Sequence, residues 1–130
     1  MEAAGTKKKA WVRLFGVYDA EGGLFGEIAY VTGRLLGIAH CALCEISHAV
    51  SGERPAFRRV RRSLGIPLEM LHRNEQSDEM RALTLARTPC VVGQTADGYE
   101  IVMGRTDLEA CRGDVACLEA SLRERLELPD

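Results

Sequence analysis

Apolar and polar positions divide this chain into alternating extended and helical stretches. Trp11 to Tyr18, rich in β-branched and aromatic residues, predicts a strand closed by the turn cluster Asp19-Ala20-Glu21-Gly22-Gly23. From Leu24 to Leu36, Leu24, Ile28, Val31, Leu35 and Leu36 recur at helical spacing, with Gly37 as the stop. A second helix is predicted from Cys41 to about Val50, broken by Ser51-Gly52-Glu53-Arg54-Pro55. Pro55 suits the first turn of the next helix, Ala56 to Leu64, where Phe57, Val60 and Leu64 share one face and Arg58, Arg59, Arg61 and Arg62 fill the rest.

Ile66 to Arg73 predicts a strand whose alternation Leu71 interrupts, as in a strand buried on both faces. Ser77 is a candidate N-cap for a helix reaching about Ala86, with acids in its first turn. Thr88-Pro89 leads into the strand Cys90 to Gln94, and Asp97-Gly98 turns the chain back through Tyr99 to Met103 as a hairpin. A short helical turn starts near Thr106 or Asp107. Asp114 caps a last helix carrying Val115, Leu118, Leu122 and Leu126. Strands interleaved with helices predict an α/β fold with a mixed sheet, the hairpin being its antiparallel part. Residues 1–9 are expected to be a disordered tail, and 10–130 a single domain.

Composition trims the list of functions. With 46% hydrophobic and 28% charged residues and a net charge of −2, the chain is an ordinary globular protein without a global pull toward nucleic acid or anionic membrane. The most apolar stretch, Leu24 to Ile46, contains Glu27, Arg34 and His40 and makes a poor membrane span. No signal-peptide pattern follows Lys7-Lys8-Lys9, so a cytoplasmic location is expected. Five cysteines are an odd number, and in a reducing compartment a disulfide framework is not expected.

The chemistry concentrates in His40-Cys41-Ala42-Leu43-Cys44-Glu45-Ile46-Ser47-His48, which holds four of the eight Cys and His residues. On a helix, Cys41, Cys44 and His48 share one face. Three uses fit that face. A Cys41/Cys44 dithiol can exchange with disulfides, Cys41 being the nucleophile because a helix N-terminus lowers a thiol's pKa, with His40 beside it. The same thiols with His48, and Cys90 or His40 as the fourth ligand, can bind zinc tetrahedrally. Or the cysteines simply fill a core, since Cys is among the most buried residue types.

From Cys41 onward the element order resembles the thioredoxin-like fold, in which a CxxC opens a helix and a cis-proline precedes a hairpin and a closing helix. The matching positions are Cys41 and Cys44, Thr88-Pro89, the turn from Gln94 to Tyr99, and the helix from Asp114 to Leu126. An extra helix stands between the first strand and the CxxC. The first half also resembles a bacterial family to which no function is attached. The resemblance implies a thiol–disulfide oxidoreductase with Cys41 and Cys44 as the redox pair and Pro89 as the shaping residue. Thr88, Cys90 and His40 would then lie against the substrate, a protein or low-molecular-weight thiol. No cofactor is implied by the redox reading; zinc belongs to the alternative, a non-enzymatic binding or interaction module.

The remaining features read more plainly. The Arg54 to Arg62 cluster is a solvated face balanced by Glu53 and Glu69 rather than an anion or nucleic-acid site, because no aromatics interleave with it. Cys111 and Cys117 flank a turn and can pair under oxidation, but separate roles in packing are the more economical reading. His72 is expected as a satisfied core histidine. The exposed part of the Leu24 to Ile38 helix offers a homodimer contact. Neither nucleotide-binding fingerprint nor a Gly-x-Ser-x-Gly elbow occurs.

Overall fold

The computed structural model describes residues 10–19, 42–49 and 52–128. The predicted tail, the Leu24 to Leu36 helix with its dimer contact, and His40 and Cys41 lie outside the described residues.

The first strand, β1 (Arg13–Val17), lies in the middle of the sheet and is buried from Leu14 to Val17. It pairs parallel with β4 (Leu68–Leu71) and antiparallel with β5 (Cys90–Thr95), which forms a hairpin with β6 (Gly98–Met103). The four-stranded order is therefore β4-β1-β5-β6, a mixed sheet flanked by helices in an α/β arrangement. Parallel pairing of β1 with β4 requires a crossover, and the helices between them supply it.

The first described helix, α1 (Ala42–Ser47), ends earlier than its apolar spacing predicts. Two short strands, β2 (His48–Ala49) and β3 (Gly52–Glu53), pair antiparallel directly after it. The turn chemistry around Gly52 thus folds the chain back on itself and draws residues 48 and 49 out of the helix. His48 consequently does not share a helical face with Cys44, a correction to the expected Cys41, Cys44 and His48 stripe.

Helix α2 (Pro55–Ser63) opens with Pro55 after an extended Arg54 and buries Phe57 and Val60, as its spacing predicts. Helix α3 (Asp78–Thr84) is capped by Ser77, whose hydroxyl accepts from the Met80 N–H at 3.2 Å. Helix α4 (Arg105–Ala110) buries Leu108, and α5 (Val115–Arg125) starts under the Asp114 cap and buries Val115, Leu118 and Leu122.

Alternation along β1 divides the core. Leu14 and Tyr18 point to one face, where Phe57, Val60, Leu108, Leu118, Leu122 and the α1 residues Leu43, Cys44 and Ile46 complete the larger cluster. Phe15 and Val17 point to the other, joined by Met80, Cys90 and Val92 in a smaller cluster beneath α3. Gly16 lets α1 approach: a Cβ there would meet the Met70 sulfur at 2.8 Å and Leu43 at 3.3 Å.

One strand departs from expectation. The predicted Ile66 to Arg73 strand was to be buried on both faces, yet β4 spans only Leu68–Leu71, and of these only Leu68 is buried. Met70 packs toward the larger cluster and Leu71 toward the smaller, which explains the apolar run. At the edge of the sheet formed by the described residues, both are half-exposed. Among the described residues, no helix is long and apolar enough to cross a membrane.

Candidate functional site

Val17 pairs with both Leu71 of β4 and Cys90 of β5, so three segments meet just beyond it. They are Tyr18-Asp19 after β1, His72-Arg73 after β4, and Thr88-Pro89 before β5. The Thr88-Pro89 peptide bond is cis. Thr88 is buried, and its hydroxyl donates to Asp19 at 3.0 Å. Arg73 reaches the same Asp19 oxygen at 3.4 Å. From the other side, Arg105 donates Nε at 2.9 Å, and also Nη2, to the Thr88 carbonyl. The proline loop is thus held from the end of β1 and from the start of α4 at once.

Helix α1 is tied to the same place. The Tyr18 hydroxyl shares a buried 3.1 Å hydrogen bond with Ser47 in the last turn of α1. Its ring lies 5.4 Å, centre to centre, from that of His72. His72 is not the core histidine expected from sequence: its side chain is 28% exposed, because β4 ends at the sheet edge before reaching it. Its Nδ1 and backbone N–H instead bond Glu75, at 3.0 Å and 2.7 Å. The His72 backbone N–H, with the ring nitrogen, holds the Glu75 carboxyl below the usual carboxylate range against the opposing effect of burial.

Cys44 is buried in the larger cluster, one helical turn before Ser47. Cys90 is fully buried on the opposite face of the sheet, packed with Val92 and Met80. The structure therefore places Cys90 on the face of the sheet opposite Cys44, so it does not join Cys44 as the fourth zinc ligand expected from sequence. Strand alternation is the reason: residues 90 and 92 point toward α3, while Val91 points toward the helices on the other side. Burial pushes the Cys90 thiol up to about 12, with Arg87 pulling weakly the other way, so it stays neutral. Among the described residues, no cluster of three or more His, Cys, Asp or Glu side chains is arranged to hold a metal.

An open hollow of about 420 Å³ adjoins the proline loop, lined by Ala86, Arg87, Ile101, Gly104 and Arg105. The basic helix α2 behaves as a solvated, balanced face. Arg61 and Arg58 bond Glu53 at 2.6 Å and 3.3 Å. Burial works to raise the Glu53 carboxyl, but these two arginines outweigh it and hold it below its usual range.

The largest departure from expectation concerns Cys111 and Cys117, which are joined in a disulfide with their Cα atoms 5.4 Å apart. Arg112 and Gly113 both take left-handed backbone, φ 49° and 77°, and this tight turn brings the two cysteines within bridging range. Tyr18, Asp19, Arg73 and Arg105 went unrecognised in the sequence as parts of a site. The one local signal was a Tyr-Asp pair where a strand stops, and it reads equally well as a turn.

No known protein family, curated protein or solved structure matches this chain.

Proposed function

We propose that the protein is a thioredoxin-like thiol–disulfide redox protein, with Cys41 as nucleophile, Cys44 as resolving thiol and the Thr88-Pro89 loop shaping the site. One arrangement carries this reading. Helix α1, with Cys44, lies on the central strand β1, and the end of that strand is bonded through Asp19 to Thr88. In a thioredoxin-like fold the dithiol helix and the proline loop converge, and the ties of Tyr18 to Ser47 and of Asp19 to Thr88 support that reading. The β4-β1-β5-β6 order supports it, as does the placement of α3 on the second face.

The chemistry is a two-electron exchange. The Cys41 thiolate attacks a substrate disulfide, one substrate sulfur leaves as a thiolate and takes a proton, and a mixed disulfide remains. The Cys44 thiolate then attacks the Cys41 sulfur, closing the Cys41–Cys44 bond and releasing the second substrate thiol. Burial of Cys44 keeps competing thiols away from it, which leaves the mixed disulfide at Cys41 as the bond it attacks. Arg87 and Arg105, lining the hollow beside the loop, favour a substrate that carries negative charge.

Insulin reduction driven by dithiothreitol tests the reading, together with peptide mapping after diamide. The wild-type chain is expected to form a Cys41–Cys44 disulfide and to accelerate insulin precipitation, and Cys41→Ser to lose at least tenfold of that rate. A diamide-treated protein with no Cys41–Cys44 linkage would remove the proposal.

A further inference from the structure

The Cys111–Cys117 disulfide sits where one sulfur is shielded and the other is reachable: Cys111 is 4% exposed in the larger cluster, whereas Cys117 is only partly buried. The turn it closes is held in left-handed backbone at Arg112, a conformation that side chains other than glycine rarely adopt. That turn is also wired to the helix bearing Cys44. Arg54 Nη1 donates to the Gly113 carbonyl at 2.7 Å and reaches the Ile46 carbonyl in α1 at 3.5 Å. Cys111 and Cys44 belong to the same packed cluster. A change in the turn therefore reaches α1 through the hydrogen-bonded guanidinium of Arg54.

We propose that Cys111–Cys117 is a second thiol–disulfide centre, opened at Cys117 by a low-molecular-weight thiol, and that its state is transmitted through Arg54 to α1. The thiolate of the small thiol attacks the Cys117 sulfur. The Cys111–Cys117 bond breaks, Cys111 leaves as a thiolate and is protonated, and Cys117 carries the mixed disulfide. A second small thiolate attacks the small-molecule sulfur of that mixed disulfide, releasing Cys117 as a thiol and the oxidised small disulfide. Two electrons pass from two small thiols to the protein pair, and the reverse sequence reoxidises it. Opening the bond frees the 112–114 turn to leave its left-handed geometry, which withdraws the Gly113 carbonyl from Arg54.

The test uses the full chain carrying Cys41→Ala, so that no Cys41–Cys44 bond contributes. Equilibration in glutathione buffers of graded ratio, acid quenching and peptide mapping report the 111–117 pair. Amide hydrogen exchange across residues 42–47 reports α1. The expected result is one two-electron transition of the pair in the folded protein, accompanied by exchange in α1 at least threefold faster when the pair is reduced. Adding Arg54→Met should leave the transition in place and abolish the response of α1. A pair that stays bonded in fully reduced glutathione overturns the proposal, and so does an α1 exchange rate that is the same in both states or an unaltered response in Arg54→Met.

Discussion

The two faces of the sheet treat the same residue type in opposite ways. On the face covered by α1, α2, α4 and α5, Cys44 lies one turn from a buried Tyr18–Ser47 hydrogen bond and shares its cluster with the bridged Cys111. On the face covered by α3, Cys90 sits among Phe15, Val17, Met80 and Val92, where burial raises its thiol to about 12 against the pull of Arg87. Among the described residues, the larger, helix-rich face therefore holds Cys44 and the Cys111–Cys117 bond, and the smaller face packs Cys90 as a small hydrophobe. Adjacency in sequence is a poor guide here. Cys90 follows Pro89 directly, yet the pleat of β5 turns it away from α1, the helix that carries Cys44.

The contrast is sharpest in a core-truncation pair. Phe57→Ala on the larger face should cost about 3–5 kcal/mol and Met80→Ala on the smaller about 2 kcal/mol, both read from urea unfolding midpoints. Equal losses would mean that the two clusters are of one weight and that the division is only geometric.

Alkaline pH gives the next effect. The folded state holds the Cys90 proton up to about 12, above the usual value near 9. Between those values the unfolded chain has lost a proton that the native protein keeps, so unfolding is favoured as pH rises. Stability should be fully present below pH 9 and fall through that window by about 1.4 kcal/mol per pH unit. Cys90→Ala should flatten the slope. An unchanged slope in that variant would show that Cys90 is less enclosed than its packing implies.

The smallest effects separate the helices of the two faces. Asp114→Ala at the start of α5 and Ser77→Ala at the start of α3 each remove a side-chain cap and should cost about 1 kcal/mol. A larger loss for Asp114 would tie the α4–α5 turn more closely to global unfolding than the start of α3. Thermal melts of the two variants side by side give the comparison.

Those caps were legible in the sequence because a cap is local: Ser77 bonds Met80 and Asp114 bonds Ala116, each within three residues. The hairpin at Asp97-Gly98 and the apolar faces of α2 and α5 were legible for the same reason. The end of α1 was not, since residues 48 and 49 trade helical bonds for pairing with 52 and 53. Nor was the edge position of β4, which depends on strand order and not on its own composition. The convergence of Asp19 with Thr88 spans 69 residues, and no periodicity reports it. The 111–117 bond was discounted on an argument about compartment, while the deciding feature was a left-handed turn at Arg112 and Gly113.

Arg61 does more than neutralise Glu53. The carbonyl of Pro67, just before β4, accepts from the Leu14 N–H and that of Leu71 from the Tyr18 N–H, which leaves the Leu68 carbonyl directed away from the sheet. Arg61 covers that oxygen with two bonds, at 2.9 Å and 3.2 Å. An aggregating strand from another molecule that came alongside β4 would find this acceptor already taken and a guanidinium in its path. The arginine-rich helix thereby guards the outer strand against unwanted β-addition.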